Sequence, residues 1–143
     1  MNFIELRVSG QNINLDEVTK SLKIIPKWSY KQGEGRIHKG NKVKYTEDCW
    51  IANIEIENEI LTEEKMIEWI DLLIQRKEFI NELSQRYDIA LWITLYPETN
   101  QYHIHFSRKT LSKLCELNID VGFSYMQLKE FYSGQWQHNE AAE

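Results

Sequence analysis

Apolar and polar residues alternate along the first ten positions of the chain. Ile4, Leu6 and Val8 fall on one side of an extended backbone, and Glu5 and Arg7 fall on the other. Because side chains of a strand point alternately to its two faces, this pattern predicts a half-buried β-strand.

The same two-residue period recurs further along the chain. In the second stretch Trp50, Ala52, Ile54 and Ile56 share the inner face, and the last stretch contains Ile119, Val121, Phe123 and Tyr125 at the same spacing. Strands are therefore predicted over residues 3–9, 49–57, 88–96, 101–106 and 119–126.

Helical spacing of apolar residues follows the first strand. Asn14 can cap a helix in which Leu15, Val18 and Leu22 share one face. Pro26 marks the end of this helix, because the residue before a proline is pushed out of the helical region.

Two further helical stretches have recognisable starts. Thr62 begins a long one whose apolar stripe continues with a slight break near Arg76. Ser107 can cap another, with Leu111, Leu114 and Cys115 predicted on its buried face. The latter part of the chain therefore also mixes helices with strands.

The fold class follows from this order of elements. Residues 27–48 form the least regular segment, in which "KGNK" predicts a hairpin turn. The order strand, helix, hairpin, helix, hairpin, helix, strand predicts an α+β fold, with a mostly antiparallel sheet and helices packed on one face. We expect a single domain over residues 1–126 and a C-terminal extension, partly helical and then disordered, over 127–143.

The stretch "QYHIHF" at residues 101–106 contains two of the four histidines. If "PETN" is a hairpin loop, His103 lies opposite Thr94 and His105 lies opposite Trp92. The other face of this hairpin is nearly all hydrocarbon and must be the core side. The histidines are thus predicted to share the outer face with Trp92, Thr94 and Tyr96.

Two histidines on one strand face, roughly 7 Å apart at Cα, are compatible with one metal ion. A stable site needs a third and usually a fourth ligand, and the facing strand supplies no usual one. Glu55 or Glu57 would help only if their strand lay beside His103 and His105. We therefore predict no metal and no cofactor, and interpret the histidine face as a recognition surface.

The segment from Lys20 to Lys44 is strongly basic, with eight positive residues and Glu34 as its single acid. Trp28 and Tyr30 are interleaved with these charges. Basic groups with aromatic side chains could follow a phosphate backbone and stack on bases. A solvated loop and a loop that docks on an acidic protein are the alternatives.

Composition and motifs narrow the classes of protein to which this chain could belong. The chain has 143 residues, 42% hydrophobic content and a net charge of −5, which argues against a dedicated nucleic-acid binder. The opening "MNFIELRVSG" predicts no signal peptide and no stretch predicts a membrane span, so we expect a cytoplasmic protein. Cys49 and Cys115 are expected to be reduced and packed as small apolar groups. No nucleophile elbow and no His-Glu-x-x-His motif is present.

Several short stretches resemble one known family. They are "VSG" at the end of the first strand, "LKIIP" at 22–26, Trp28 with Gly33, Trp50 opening a strand, and "NIDVGFSY" at 118–125. Over roughly residues 3–125 the chain resembles the uncharacterised bacterial family DUF4279, a domain of unknown function. The resemblance implies a small α+β domain and no activity, cofactor or catalytic residue.

The sequence favours a small non-catalytic protein-binding module, as in an immunity-type protein that occludes a toxin. The expected partner is another protein, and the expected contact residues are Trp92, Tyr96, His103, His105, Trp28 and Tyr30. Two alternatives stay open. One is a small-molecule or metal-binding protein or enzyme that uses His103 and His105, and the other is nucleic-acid binding through residues 20–44.

Overall fold

The computed structural model describes residues 2–56, 63–96 and 104–125. Within them lie seven strands and four helices, in the order β1 (Asn2–Gly10), α1 (Leu15–Leu22), β2 (Trp28–Tyr30), β3 (Gly35–His38), β4 (Asn41–Lys44), β5 (Asp48–Ile56), α2 (Glu63–Ile74), α3 (Lys77–Ser84), β6 (Asp88–Leu95), α4 (Arg108–Leu117) and β7 (Asp120–Tyr125). The predicted extension, 127–143, lies outside the described residues.

Five of the described strands form the main sheet, in the order β2-β5-β1-β6-β7. Every neighbouring pair is antiparallel except β6 and β7, which run parallel. Helix α4 lies between these two in sequence, as a parallel pair requires a crossover. The predicted α+β class with a mostly antiparallel sheet is confirmed.

The core lies on one face of this sheet. Ile4, Leu6 and Val8 of the central strand β1 are fully buried, as their alternation predicted. They pack in one apolar cluster with the inner residues of β5 and β6 and with residues from all four helices. The helices of the described region therefore cover a single face, and the opposite face carries the polar half of the alternation.

The predicted helix starts agree with the structure where it describes them. Asn14 Oδ1 accepts a hydrogen bond from the Glu17 backbone N–H at 3.1 Å. Ser107 Oγ accepts one from the Thr110 N–H at 3.3 Å. The break near Arg76 separates α2 from α3. Thr62 lies outside the described residues.

The predicted buried face of α4 is wrong in part. Leu114 is buried, but Leu111 is 49% exposed and Cys115 is exposed as well. Thr110 and Leu117 are buried with Leu114 instead. These three positions are spaced by four and three residues, so they form a stripe on the buried side of the helix. Cys115 is thus not a packed apolar group, whereas Cys49, the other free cysteine, is buried.

The predicted hairpin between 88–96 and 101–106 is also wrong. Both edges of β6 are occupied by other strands, so that Trp92 pairs with Glu5 on one side and with Gly122 on the other. Residues 104–106 have no strand structure, and 101–103 lie outside the described residues. The register opposing His105 to Trp92 therefore does not exist. β6 pairs instead with β1 and β7, which are distant in sequence, and not with the segment that follows it directly in the chain.

The hairpin predicted at "KGNK" is present as β3 and β4, a separate two-stranded sheet. Its loop residues Lys39 and Gly40 have φ of 48° and 76°. Two successive positive φ values are typical of a type I′ turn, whose twist matches that of paired strands. Gly40 adopts this conformation without the steric cost of a side chain.

Candidate binding face of the sheet

The face of the main sheet opposite the helices is called the open face below. Side chains reach it from alternate positions of each strand, as the strand pairing fixes. It comprises Trp28 and Tyr30 of β2; Cys49, Ile51, Asn53 and Glu55 of β5; Phe3, Glu5 and Arg7 of β1; Trp92 and Thr94 of β6 with Tyr96 just beyond; and Gly122 and Ser124 of β7.

An arginine lies over a tryptophan at the centre of the open face. The Glu5 carboxylate is nearly buried and accepts hydrogen bonds from Arg7 Nε at 2.9 Å and Nη2 at 2.7 Å. This pair holds the Arg7 guanidinium 5.2 Å from the centre of the Trp92 ring. A cation over an indole face is an attractive cation–π contact. Glu5 thus sets the position of Arg7, and Arg7 covers Trp92.

Gly122 provides the space in which the Trp92 ring lies. A Cβ atom added at Gly122 would be 2.7 Å from Cε3 of Trp92, closer than real side chains approach. The absence of a side chain on β7 therefore allows the indole to lie flat over that strand. A larger residue would push the ring out of this position.

A second aromatic group surrounds Lys27. Its Nζ is 2.7 Å from Glu55 Oε1, 4.8 Å from the Trp28 ring and 5.3 Å from the Phe3 ring. Phe3 in turn meets Tyr96 edge to face, with ring centres 6.0 Å apart. Trp28 is 50% exposed. The open face therefore presents accessible aromatic area to solvent beside cations held by neighbouring carboxylates.

The profile of a known family, described as "Domain of unknown function (DUF4279)", matches residues 1–128. The chain belongs to the DUF4279 family. Neither the curated proteins nor the solved structures include a significant match.

The predicted contact residues of this DUF4279 domain divide into two groups. Trp28, Tyr30, Trp92 and Tyr96 all belong to the open face, although they come from two separate strands of the sheet. His105 is exposed in the segment that precedes α4, outside the sheet. His103 lies outside the described residues. The structure thus brings the four predicted aromatic residues onto one face of the sheet, and His105 is not among them.

Phe3, Arg7 and Lys27 belong to the same face and were not predicted as contact residues. The sequence did indicate the face on which Arg7 lies, since the alternation in β1 puts Arg7 on the side opposite the apolar residues. Lys27 belongs to the basic segment 20–44, but its place on this face depends on the pairing of β2 with β5.

Tyr30 forms part of an internal stack. Its ring lies on that of Tyr45, with centres 3.6 Å apart, and Arg36 covers Tyr45 at 5.0 Å. Burial and a hydrogen bond with Cys49 raise the pKa of Tyr30. Burial likewise raises the pKa of Cys49, which disfavours the thiolate that a cysteine nucleophile needs.

Asp48 is a buried carboxylate outside the open face. Its oxygens accept hydrogen bonds from the backbone N–H of Gln32 at 2.7 Å and of Ile13 at 2.8 Å, and from Lys31 Nζ at 3.1 Å. The hydrogen bond from Gln32 is the largest of the effects that lower the pKa of Asp48, and together they outweigh its burial. Lys31 Nζ also donates to the Ile13 carbonyl. Asp48 therefore joins three segments of the chain.

Glu63 joins the starts of two helices. Its Oε1 accepts hydrogen bonds from the Ser107 backbone N–H at 2.9 Å and from the Thr110 hydroxyl. Hydrogen bonding by the Ser107 side chain, followed by that of the Thr110 side chain and of the Ser107 backbone N–H, lowers the pKa of Glu63 to about 2. A carboxylate that is ionised at neutral pH and occupied by donors is a structural acceptor and a poor general base.

Within 2–56, 63–96 and 104–125 no three His, Cys, Asp or Glu side chains come close enough to hold a metal ion. The alternative of a metal site at His103 and His105 is not tested by this, since His103 is not among these residues. None of the four helices of the described region is long and apolar enough to cross a membrane.

Proposed function

We propose that this chain is a non-catalytic protein-binding module whose contact surface is the open face. The observation that carries this proposal is the aromatic and cationic cluster formed by Phe3, Arg7, Lys27, Trp28 and Trp92. Tryptophan, tyrosine and arginine are enriched where protein interfaces are buried, and a few such anchors supply most of the binding energy.

The charges of the open face favour a protein partner over a nucleic acid. Arg7 and Lys27 are each paired with a glutamate, so neither of these two cations of the open face is free for a phosphate. Lys31 is engaged by Asp48. Tyr30 and Tyr45 stack on each other, so that each ring covers one face of the other, and Arg36 lies over the Tyr45 ring as well. Two of the eight cations of residues 20–44, Lys27 and Lys31, are thus engaged by carboxylates of the same chain.

An immunity-type role is the specific form of this proposal that we favour. A protein that occludes a toxin needs a stable surface with preformed anchors and no catalytic group of its own. The Glu5–Arg7–Trp92 contacts preorganise such anchors, which reduces the ordering cost of binding. This form predicts that a gene beside the one for this chain encodes a toxin, and that co-expression of the two relieves toxicity.

Site-specific photo-crosslinking in living cells tests the contact surface. A benzoylphenylalanine placed at Trp28 or Thr94 should give covalent adducts to one and the same protein, identified by mass spectrometry. Leu72 of α2, 41% exposed on the helix side, is the matched control position and should give no adduct to that protein. Adducts to the same protein from Leu72, or none from the open face, would contradict the proposal.

Affinity measurements with the identified protein complete the test. Trp28→Ala should weaken binding by at least about tenfold, as truncation of an interface anchor does. Leu72→Ala should leave the affinity unchanged. If the single variants Trp28→Ala and Arg7→Ala both bind with unchanged affinity, the contact surface lies elsewhere.

A further inference from the structure

The hairpin of β3 and β4 extends away from the main sheet. Among the described strands these two pair only with each other. Their base is held by backbone hydrogen bonds of Tyr45 with Gly33 and Glu34, and by the stack of Tyr45 on Tyr30. A strand of four residues spans about 13 Å, so the turn of this hairpin reaches well beyond its base.

One side of the hairpin is turned toward the aromatic stack at its base. Residues directly opposite each other in an antiparallel pair point to the same side. Arg36 and Val43 are such a pair, and the Arg36 guanidinium lies 5.0 Å from the centre of the Tyr45 ring. Val43 is also the one residue of the two strands that is not exposed. This side is therefore partly covered by the chain itself.

The other side, with the turn, is called the outer hairpin face below. On it Ile37 lies opposite Lys42, and Gly35 lies opposite Lys44. Ile37 is 76% exposed. Lys39 of the turn is exposed as well. The outer hairpin face thus presents one aliphatic side chain together with three ammonium groups.

The three lysines of this face are not neutralised by the described part of the chain. Across 2–56, 63–96 and 104–125, the ion pairs involve other cations than Lys39, Lys42 and Lys44. Residues 35–44 contain no acid, whereas the whole chain carries −5. An anionic surface therefore attracts this end of a molecule that is otherwise acidic.

The kind of cation distinguishes among anionic partners. Lysine is a flexible point charge and is depleted in protein interfaces, where the directional donors of arginine are enriched. Arg36, the one arginine of the hairpin, is turned to the other side. The outer hairpin face also has no aromatic ring on which a nucleic-acid base could stack. A lipid surface needs neither feature, because its diffuse negative charge suits mobile ammonium groups and its acyl boundary accepts an aliphatic side chain.

We propose that the outer hairpin face binds an anionic lipid surface. Ile37 enters the acyl boundary, and Lys39, Lys42 and Lys44 contact the headgroups. One inserted side chain with three charges gives reversible association and not permanent anchoring. The site is separate from the open face, since the side of the hairpin that continues toward Tyr30 is the opposite one.

Vesicle co-sedimentation of the untagged chain tests this proposal. We expect binding to vesicles of phosphatidylcholine mixed with phosphatidylglycerol and none to phosphatidylcholine alone. Binding should weaken as salt is added, because salt screens the attraction between lysines and headgroups. Absence of binding to the mixed vesicles, or equal binding to both kinds, overturns the proposal.

Charge variants locate the lipid contact on the hairpin. Replacing the three lysines of the outer hairpin face by glutamine should lower the vesicle partition coefficient about a hundredfold, since each lysine near an anionic surface contributes about a factor of five. A matched control removes the same charge from exposed positions on α1, α3 and α4, with Lys20→Gln, Lys77→Gln and Lys109→Gln. It should leave the partition coefficient nearly unchanged. Thermal melts confirm that both triple variants fold, and equal losses in the two would show that net charge alone acts.

An isoleucine pair separates a lipid from other polyanions. Ile37→Ser should weaken vesicle binding at least about fivefold, because an aliphatic side chain no longer leaves water. Ile25→Ser is the control, since Ile25 is 88% exposed at the end of β2 away from the hairpin. If both variants bind vesicles as well as the wild type, the lipid assignment is overturned. Fluorescence anisotropy with polyglutamate and with single-stranded DNA then shows whether the lysines serve an acidic protein or a nucleic acid.

Discussion

At the scale of single residues, two carboxylates show how little composition says about the role of a charge. Asp48 begins a strand and Glu63 begins a helix, positions at which exposed acids are common. Each carboxylate accepts hydrogen bonds from distant parts of the chain. Their contribution to stability therefore depends on tertiary contacts that no local pattern indicates.

Asp48→Asn should destabilise the fold by on the order of 2–3 kcal/mol, because an amide cannot accept from all three donors and leaves a buried N–H without a partner. Urea unfolding measures this change. Asp88→Asn is the matched control, since Asp88 is the exposed first residue of β6. Equal unfolding midpoints of the two variants would show that the buried hydrogen bonds contribute little.

The lowered pKa of Glu63 predicts a specific pH dependence. A depressed pKa stabilises the folded state above the unfolded value of 4.5, and this stabilisation is lost as the pH falls toward about 2. Glu63→Gln should therefore lower the melting temperature at neutral pH, and its difference from the wild type should shrink between pH 4.5 and 2. Glu64→Gln, at the exposed neighbouring position, should show no such convergence. A pH-independent difference for Glu63→Gln would contradict the assignment.

At the scale of elements, the capping and turn signals were reliable. The Asn14 and Ser107 caps and the Lys39–Gly40 turn involve groups within four residues of one another, so the sequence contains everything that forms them. The predicted second hairpin failed for the opposite reason. Its two stretches were neighbours in sequence, but β6 gained more by pairing with β1 and β7.

Gly122→Ala should destabilise the β6–β7 pair by about 1–3 kcal/mol, because the added methyl group collides with the Trp92 ring and overpacking strains its surroundings. Chemical denaturation measures the loss. Gly35→Ala is the control, as nothing lies within 4 Å of its added Cβ. If both variants are equally stable, Trp92 moves aside at no cost and is not fixed by β7.

At the scale of the whole molecule, the sheet order decided the candidate site. It brought Trp28 and Trp92 onto one face although they are far apart in sequence. It also removed the strand pairing on which the predicted placement of His103 and His105 beside Trp92 rested.

We expect untagged protein to contain sub-stoichiometric zinc, nickel and iron, and its melting temperature to be unchanged by chelator. The physical reason is that two histidines alone do not complete a stable site. Metal analysis and thermal melts with and without chelator measure this. One equivalent of bound metal that stabilises the fold would instead support a site at His103 and His105.

The sequence by itself determined the fold class, the inner face of β1 and the helix starts at Asn14 and Ser107. These follow from local periodicity and from capping groups that are close in the chain. It also indicated the aromatic residues of the open face, because alternation separates outward Trp92 from the inward Leu91 and Ile93.

Only the tertiary structure decided which strands are neighbours. Pairing depends on apolar area shared between segments far apart in sequence, and no period reports it. The parallel β6–β7 pair, the glycine beneath Trp92, the position of Lys27 and the exposed side of α4 all follow from that choice. Because β1 and β7 occupy both edges of β6, the histidines of "QYHIHF" do not pair with β6 as predicted.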